Sequence, residues 1–572
     1  MFAGAMFLLI VLIMGKEYWN GRVYRSKLLD TLYQSYGRPV QRTYGAEELK
    51  HIQSYYRKHP SPHQLDDITW NDLNMDEIYQ RINASCSAAG DEYFYYRLRT
   101  PVIDVAEMER QEAQICFFME QEEKRHALQR EFYTLGRMGK YSIYDYLEYL
   151  DDLGERGNSK YWFWNLLLFG SVGVMFIIPA YGILLLLIVL CHNIVGYFKE
   201  YKQIEPYVTS FRYIRRLLGC VERIGAMELP ESVAARQRLK ECHRRMKPFL
   251  RQSYLVISAE KGNGNPLEIV LDYARMIFSL DLIQFNRALR AVRGHMDEID
   301  EMITQLGSLE TAVVIGSYRK SLGENWCVPM LHYDAATDWK PGAASNMSAS
   351  NVLEIEALYH PLLSDPVKNS IQATRGVLLT GSNASGKSTF LRAVAVCAVF
   401  AQTIHTCPAD AYEAPVFRIY SSMSLRDDLI SGDSYYMAEI KSIKRMLEQA
   451  QRACAEHACV LCFVDEVLRG TNTVERIAAS TQIMRMFAAE HTVCFAATHD
   501  VELTKLLAEQ YDNYHFEERI DGDDIFFPYR LMEGPAASRN AIALLKVLGY
   551  DDRIIAGAEE MAERFLASGK WE

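Results

Sequence analysis

A multidomain chain, helical through its amino-terminal and central parts and mixed α/β at its carboxy-terminal end, is what this sequence predicts. Three observations carry that expectation. From Tyr161 to Phe198 no Asp, Glu, Lys or Arg occurs, while the flanking regions are charged and place apolar residues at helical spacing. From about residue 350 short apolar runs alternate with helical stretches, the alternation of a mostly parallel sheet covered by helices. One of those runs breaks into a glycine-rich segment, LLTGSNASGKSTFL, Leu378 to Leu391. At 572 residues the chain is longer than one core can organise.

Residues 1–15, MFAGAMFLLIVLIMG, carry no charge and are followed by Lys16, Arg22, Arg25 and Lys27. With no basic residues before the apolar core and no small-residue cleavage site after it, the segment reads as an uncleaved transmembrane anchor rather than a secretory signal. Residues 16–160 form a charged helical region. Its helical stretch Met75 to Arg99 stops at Thr100-Pro101, because proline restricts the residue before it to extended backbone, and a second stretch runs from Val105 to Leu135.

Residues 161–198 are too long for one straight span: at 1.5 Å per residue a single helix would reach about 57 Å against about 30 Å of hydrocarbon. A transmembrane hairpin fits better, with the reversal at Pro179 and Gly182 and with Trp162, Trp164 and Tyr197 as interfacial aromatics. The basic flanks, Lys160 before the hairpin and Lys199, Lys202, Arg212, Arg215 and Arg216 after it, prefer the cytoplasm. The expected location is therefore the cell membrane, multi-pass, with both large polar regions on the cytoplasmic side.

Residues 199–349 are expected to continue the helical body. Their first part, 199–251, holds thirteen Lys or Arg against six Asp or Glu, opposite in sign to the whole chain at −11. That stretch meets anionic lipid or DNA, or is a solvated helix face. The overall acidic balance argues against a protein that coats nucleic acid by bulk charge. KGNGNP, Lys261 to Pro266, is a loop, and Leu267 to Leu309 reads as one long helix.

Residues 350–530 make the α/β domain. Gly381, Gly386, Lys387 and Ser388 fit G-x-x-x-x-G-K-[ST], in which backbone amides cradle phosphates and the following helix turns its positive end toward the anion. Gly381, Ser382, Asn383, Ala384, Ser385, Gly386, Lys387, Ser388 and Thr389 are therefore the expected ATP-binding residues. Lys387 reaches the β- and γ-phosphates, and Ser388 holds Mg²⁺. A second apolar run, Val460 to Val464, ends in Asp465-Glu466; Asp465 is placed to hold the metal's water shell and Glu466 to polarise the attacking water. A third, Thr492 to Ala497, ends in Thr498-His499, and His499 is expected to sense the γ-phosphate. Cys454, Cys459 and Cys462 read as core residues rather than metal ligands, because Cys462 lies inside the apolar run.

GSNASGKST, the segment Arg426 to Ile440, DEVLRGTNT (Asp465 to Thr473) and ATHDVELT (Ala497 to Thr504) resemble the ATPase domain of MutS-type mismatch-repair proteins, within the ABC ATPase superclass. Residues 531–572, with MEGPAASRNAIALLKVLGY from Met532 to Tyr550, resemble the helix-turn-helix dimerisation segment that closes that domain. Upstream, Ile82 to Gln111 is similar to the opening of the family's helical core, and Met302 to Pro329 to its last helix before the ATPase.

The resemblance implies a homodimer with composite ATP sites, in which Ser434 of one subunit completes the phosphate loop of the other. It implies that Asn383 helps position water and γ-phosphate and that Arg469 to Thr473 cross the dimer interface. For adenine it points to Val367 and, weakly, to Tyr529. It also implies departures: no Phe-x-Glu mismatch wedge occurs before residue 65, and membrane segments stand where the soluble family has none. Two functions follow as expectations. One is ATP-dependent binding of mismatched or branched DNA near a membrane, in DNA repair or recombination. The other is a mechanical or scaffolding ATPase acting on a membrane or protein partner.

Overall fold

The computed structural model describes residues 27–40, 42–137, 141–152, 154–258, 273–333, 353–382, 385–423, 435–456, 458–469, 471–488, 491–521, 524–536, 542, 545 and 549–568. The expected anchor 1–15, the loop 261–266, Asn383, Ala384, Gly470 and Ser434 lie outside them. The chain divides into two compact units that do not follow chain order. One comprises Met1–Pro60, Asn83–Tyr96 and Arg110–Ser321; the other comprises Ser61–Ile82, Arg97–Glu109 and Leu322–Glu572.

The first unit is helical. Phe211, Phe249 and Phe285, drawn from three helices, are fully buried together, with ring centroids 5.6 Å and 4.9 Å from Phe211. Its least expected core residue is Glu310 on the helix Met296–Leu322, which accepts the backbone N–H of Cys86 and of Ser87 (2.5 and 3.1 Å). Those amides open the helix Ala88–Arg99, so a carboxylate from a distant helix satisfies donors that a helix start leaves unpaired. Burial raises the Glu310 carboxyl to about 7.

The apolar stretch folds as two helices, Ser159–Ile177 and Pro179–Ala226, that meet at Ile178. Proline opens the second helix, where a missing N–H is tolerated. Gly182 lies so close to the Met175 backbone that any Cβ would overlap it, which is why the reversal tolerates only glycine there. The second helix does not stop at Phe198 with the apolar run but continues through Lys199 to Ala226, 48 residues in all. A helix satisfies its backbone internally, so a change in side-chain environment is no reason to end it. Asn165 and Asn193 donate to the carbonyls of Phe278 and Ile277, both at 2.9 Å, and Tyr197 donates to Asp281 at 3.0 Å.

The single helix expected over Leu267 to Leu309 is broken. Leu280–Arg293 ends at Gly294 and Met296–Leu322 starts afresh, as the low helix propensity of glycine favours. The helix stop at Arg99 before Thr100-Pro101 holds.

Among the described residues the second unit contains three sheets, of six, four and two strands. Twelve strands are numbered β1 Met330–His332, β2 Leu353–Leu358, β3 Asn369–Ala373, β4 Gly376–Thr380, β5 Ala411–Pro415, β6 Phe417–Ser422, β7 Cys459–Asp465, β8 Thr492–Ala497, β9 Tyr511–His515, β10 Arg519–Asp521, β11 Asp524–Phe526 and β12 Met532–Glu533. The six-stranded sheet has the order β12-β9-β4-β8-β7-β6, parallel except for β12. Its central strands β4 and β8 are buried throughout, as expected of a parallel sheet covered on both faces. The four-stranded sheet, β1-β5-β2-β3, is mixed and was not expected from the sequence, and β10 pairs antiparallel with β11 as a two-stranded sheet. Cys459 and Cys462 are buried in β7 as core residues. Helix Asp552–Ser568 closes the described chain.

An early segment is stapled to this unit. Asp66 caps the helix Asp67–Asp72 by accepting Thr69 N–H at 2.8 Å and pairs with Arg445. The buried Asp72 carboxylate accepts Ser421 Oγ–H at 2.7 Å and Met423 N–H at 2.8 Å, while its carbonyl accepts Arg392 Nε–H at 2.9 Å.

Candidate nucleotide site

Parallel register brings three strand ends to one edge. Asp465 of β7 is opposite Ala497 of β8, and Leu379 of β4 is also opposite Ala497. Past the strands the pairing continues: Glu466 N–H reaches Ala497 O and Thr498 N–H reaches Leu379 O, both at 2.9 Å. The segments that leave β4, β7 and β8 are therefore neighbours at the carboxyl ends of the strands, where open α/β sheets bind ligands.

Beyond β4 the loop turns with Gly381 at φ 140° and Gly386 at φ 110°. A Cβ on Gly381 would overlap the Phe516 carbonyl oxygen, so the close approach and the left-handed backbone both require glycine. Ser382 Oγ–H donates to Glu518 at 2.7 Å. Ser385 Oγ is buried with no hydrogen-bond partner among the described residues. Lys387 opens the helix Lys387–Thr403, and its ammonium donates to the carbonyls of Gly381 (2.8 Å) and Ser382 (2.7 Å). Burial lowers its pKa, against the pull of Asp465, Glu466 and Glu518.

Ser388 Oγ–H donates to Asp465 Oδ2 at 2.5 Å. Burial raises the Asp465 carboxyl, and this hydrogen bond opposes the shift. Glu466 stands at φ 57° and Leu468 at φ 58°, left-handed conformations that non-glycine residues adopt at a cost and that cluster at working sites. Glu466 is held on both oxygens: His499 Nε2 is 2.8 Å from Oε1 and Arg469 Nε is 2.9 Å from Oε2. The His499 hydrogen bond, with help from Arg469 and Lys387, holds the Glu466 carboxyl below the usual range despite partial burial. Glu439 on the helix Tyr435–Ala455 accepts Leu468 N–H at 2.5 Å and so secures the turn that follows the two acids.

These groups face a cavity of about 440 Å³, within the range of small-molecule sites. Of the expected residues, Ser382, Ser385, Gly386, Lys387, Ser388, Thr389, Asp465, Glu466, Val367 and Tyr529 line it. His499 meets Glu466 and is not among the residues that line the cavity. Tyr529 is at φ 53°, and its carbonyl accepts Asn369 Nδ2–H at 3.0 Å. Sequence reasoning missed Tyr359, His360, Asn369 and Phe516 of the lining and Glu518 behind it. They come from the segment after β2, from β3 and from the segment after β9, and no motif spacing connects them to the glycine loop. Burial, with Arg392 nearby, lowers the His360 pKa to about 4.

Comparison with known proteins agrees with this geometry. The family model of MutS domain V matches residues 377–566. The chain is similar to the DNA mismatch repair protein MutS of Thermus aquaticus, 31% identical over 220 residues, 38% of this chain and 26% of the relative. It is similar to the DNA mismatch repair protein MutS of Thermotoga maritima, 26% identical over 386 residues, 64% of this chain and 44% of the relative. To that of Lactobacillus delbrueckii subsp. bulgaricus it is 25% identical over 350 residues, 59% and 37% of the two chains. The chain thus spans less than half the length of these relatives. The glycine loop, the paired acids and the strand-end histidine are gathered at the edge of a sheet within the matched region, so residues 377–566 are a MutS domain V.

Proposed function

We propose that the carboxy-terminal domain binds ATP with Mg²⁺ and hydrolyses it. The observation that carries this is the convergence of Lys387, Ser388, Asp465 and Glu466 on one cavity wall. The residues suit both groups. The unpartnered Ser385 Oγ and the glycine turn form a cradle for phosphate oxygens, and Ser388 with Asp465 offers the two hard oxygen donors that a mostly hydrated Mg²⁺ takes from a protein. When bound, Mg²⁺ supplies neutralisation of charge on the β- and γ-phosphates. Lys387 adds a fixed positive charge beside them. Glu466, its two oxygens held by His499 and Arg469, orients water for in-line attack and accepts its proton.

Pairing of two chains, with Ser434 and Asn383 completing the site, rests on the family resemblance. So does DNA as the cargo gripped by the helical unit, since the relatives are named for DNA mismatch repair. We extend the reading to a membrane: Ser159–Ile177 and Pro179–Glu205 are long and apolar enough to span, yet only 22% of each apolar window is buried. A core hairpin of a soluble protein would be mostly covered, whereas Phe176 and Ile177 are each 80% exposed. The ATPase domain then sits at the cytoplasmic face. This exposed hairpin also favours a second reading, in which ATP-driven movement acts on a membrane or protein partner.

The test is ATP turnover by the detergent-solubilised full chain, with Mg²⁺ and with chelator, across a salt series with duplex, branched and single-stranded DNA. Mg²⁺-dependent turnover stimulated by DNA at low salt, with stimulation falling steeply as salt rises, supports the first reading. Turnover indifferent to every DNA supports the second, and no Mg²⁺-dependent turnover overturns both.

A further inference from the structure

Three cysteines that the nucleotide chemistry does not use meet behind the cavity. Cys327 and Cys407 form an antiparallel bridge, each backbone N–H donating to the other's carbonyl at 3.1 and 2.9 Å. In such a doubly hydrogen-bonded pair the Cα atoms stand about 5.5 Å apart, within disulfide range. The two side chains are close enough to perturb each other's titration. Cys407 is buried and its sulfur also contacts the Cys397 carbonyl at 3.7 Å, while Cys327 is partly exposed.

The bridge is tied to the nucleotide cavity on both sides. Tyr359, a lining residue, donates its hydroxyl to the carbonyl of Asn325 at 2.7 Å and its N–H to the carbonyl of Pro408 at 3.1 Å. One anchor lies two residues before Cys327 and the other one residue after Cys407. Cys397 belongs to the helix that begins at Lys387. Any change in the spacing of the two cysteines therefore moves the backbone that presents Tyr359 to the cavity.

We propose that Cys327 and Cys407 are a peroxide-sensitive dithiol whose oxidation to a disulfide changes nucleotide binding. This rests on the ATP reading of the same cavity. The partly exposed Cys327 sulfur attacks a peroxide oxygen, breaking the O–O bond and giving a sulfenic acid and one water. The Cys407 sulfur then displaces the sulfenic hydroxyl as a second water. In sum, two thiols and one hydrogen peroxide give one disulfide and two waters, the sulfurs being oxidised and the peroxide reduced. The neighbouring Cys407 side chain lowers the Cys327 pKa, which favours the attacking thiolate. Burial raises the Cys407 thiol well above its ordinary value.

The experiment treats the reduced full chain with graded hydrogen peroxide, traps thiols with N-ethylmaleimide, and maps peptides without reduction by mass spectrometry. Binding of a fluorescent ATP analogue is followed in parallel. The expected result is a 327–407 cross-link at lower peroxide than oxidation of the exposed Cys116, with affinity shifted about fivefold or more and restored by reductant. Cys327→Ser should bind the analogue normally and ignore peroxide; if it fails to fold, Cys407→Ala serves instead. Oxidation of Cys116 without the cross-link overturns the proposal, and so does a cross-link that leaves affinity unchanged. If the reduced protein binds no ATP analogue, the ATP reading fails, while the cross-link is still read by mass.

Discussion

His499 presents Nε2 to Oε1 of Glu466 at 2.8 Å. With Arg469 on the other oxygen, the carboxylate has little freedom to turn, which suits a base that must meet water in line with a phosphoryl group. Glu466→Gln keeps the shape and removes the basicity. Turnover should fall by about 10²- to 10⁴-fold while ATP is still bound, checked by single-turnover kinetics beside equilibrium binding. Wild-type turnover in this variant would remove Glu466 from the role.

His499→Ala separates positioning from basicity. Turnover should fall by about 10- to 100-fold with KM for ATP little changed. The imidazole helps to hold the Glu466 carboxyl below its usual range, so its loss lets that pKa rise. The acid limb of the kcat/KM profile should move to higher pH. A profile that drops in height with no shift would mean that the histidine acts elsewhere.

Asp465→Asn should separate stability from activity. Burial raises the Asp465 carboxyl, so the folded domain carries an ionised group it disfavours. That penalty is absent below the unfolded pKa and complete above the folded one. The variant should unfold at a higher temperature than the wild type at neutral pH, the gap closing toward acid, while Mg²⁺-dependent turnover is lost. A lower melting temperature at neutral pH would contradict the assignment.

Asp72→Ala leaves Met423 N–H and Ser421 Oγ–H without their buried acceptor. The expected loss is roughly 2–3 kcal/mol, read from urea unfolding followed by the fluorescence of Trp70, buried on the same short helix. A change within experimental scatter would show that the staple is replaceable.

For the hairpin, Leu184→Lys with Leu187→Lys puts two charges on exposed apolar positions. At about 2.5–3.5 kcal/mol each at a bilayer centre, they should shift the chain out of vesicle fractions in a flotation assay. Unchanged flotation would argue that the hairpin does not enter lipid.

Much of the site was legible before the fold because phosphate chemistry dictates local sequence. Gly381, Gly386, Lys387 and Ser388 are close in the chain since one loop does their work, and Asp465-Glu466 and His499 announce themselves at the ends of apolar strands. The helix stop at Thr100-Pro101 and the reversal at Pro179 and Gly182 were legible for the same reason: proline geometry and a missing Cβ act on nearest neighbours.

Other features waited for the tertiary structure. That Glu518 meets Ser382, that Asn369 braces Tyr529, that Asp72 secures a strand more than 300 residues away and that Cys327 pairs with Cys407 all depend on strand order and register, which composition and spacing do not encode. The sequence alone determined which candidate phosphate-site residues lie together in the chain, because such a site needs particular atoms at short range. The fold decided which of those atoms meet and that the hairpin's apolar faces stay uncovered, because long-range contacts arise from the packing of whole elements.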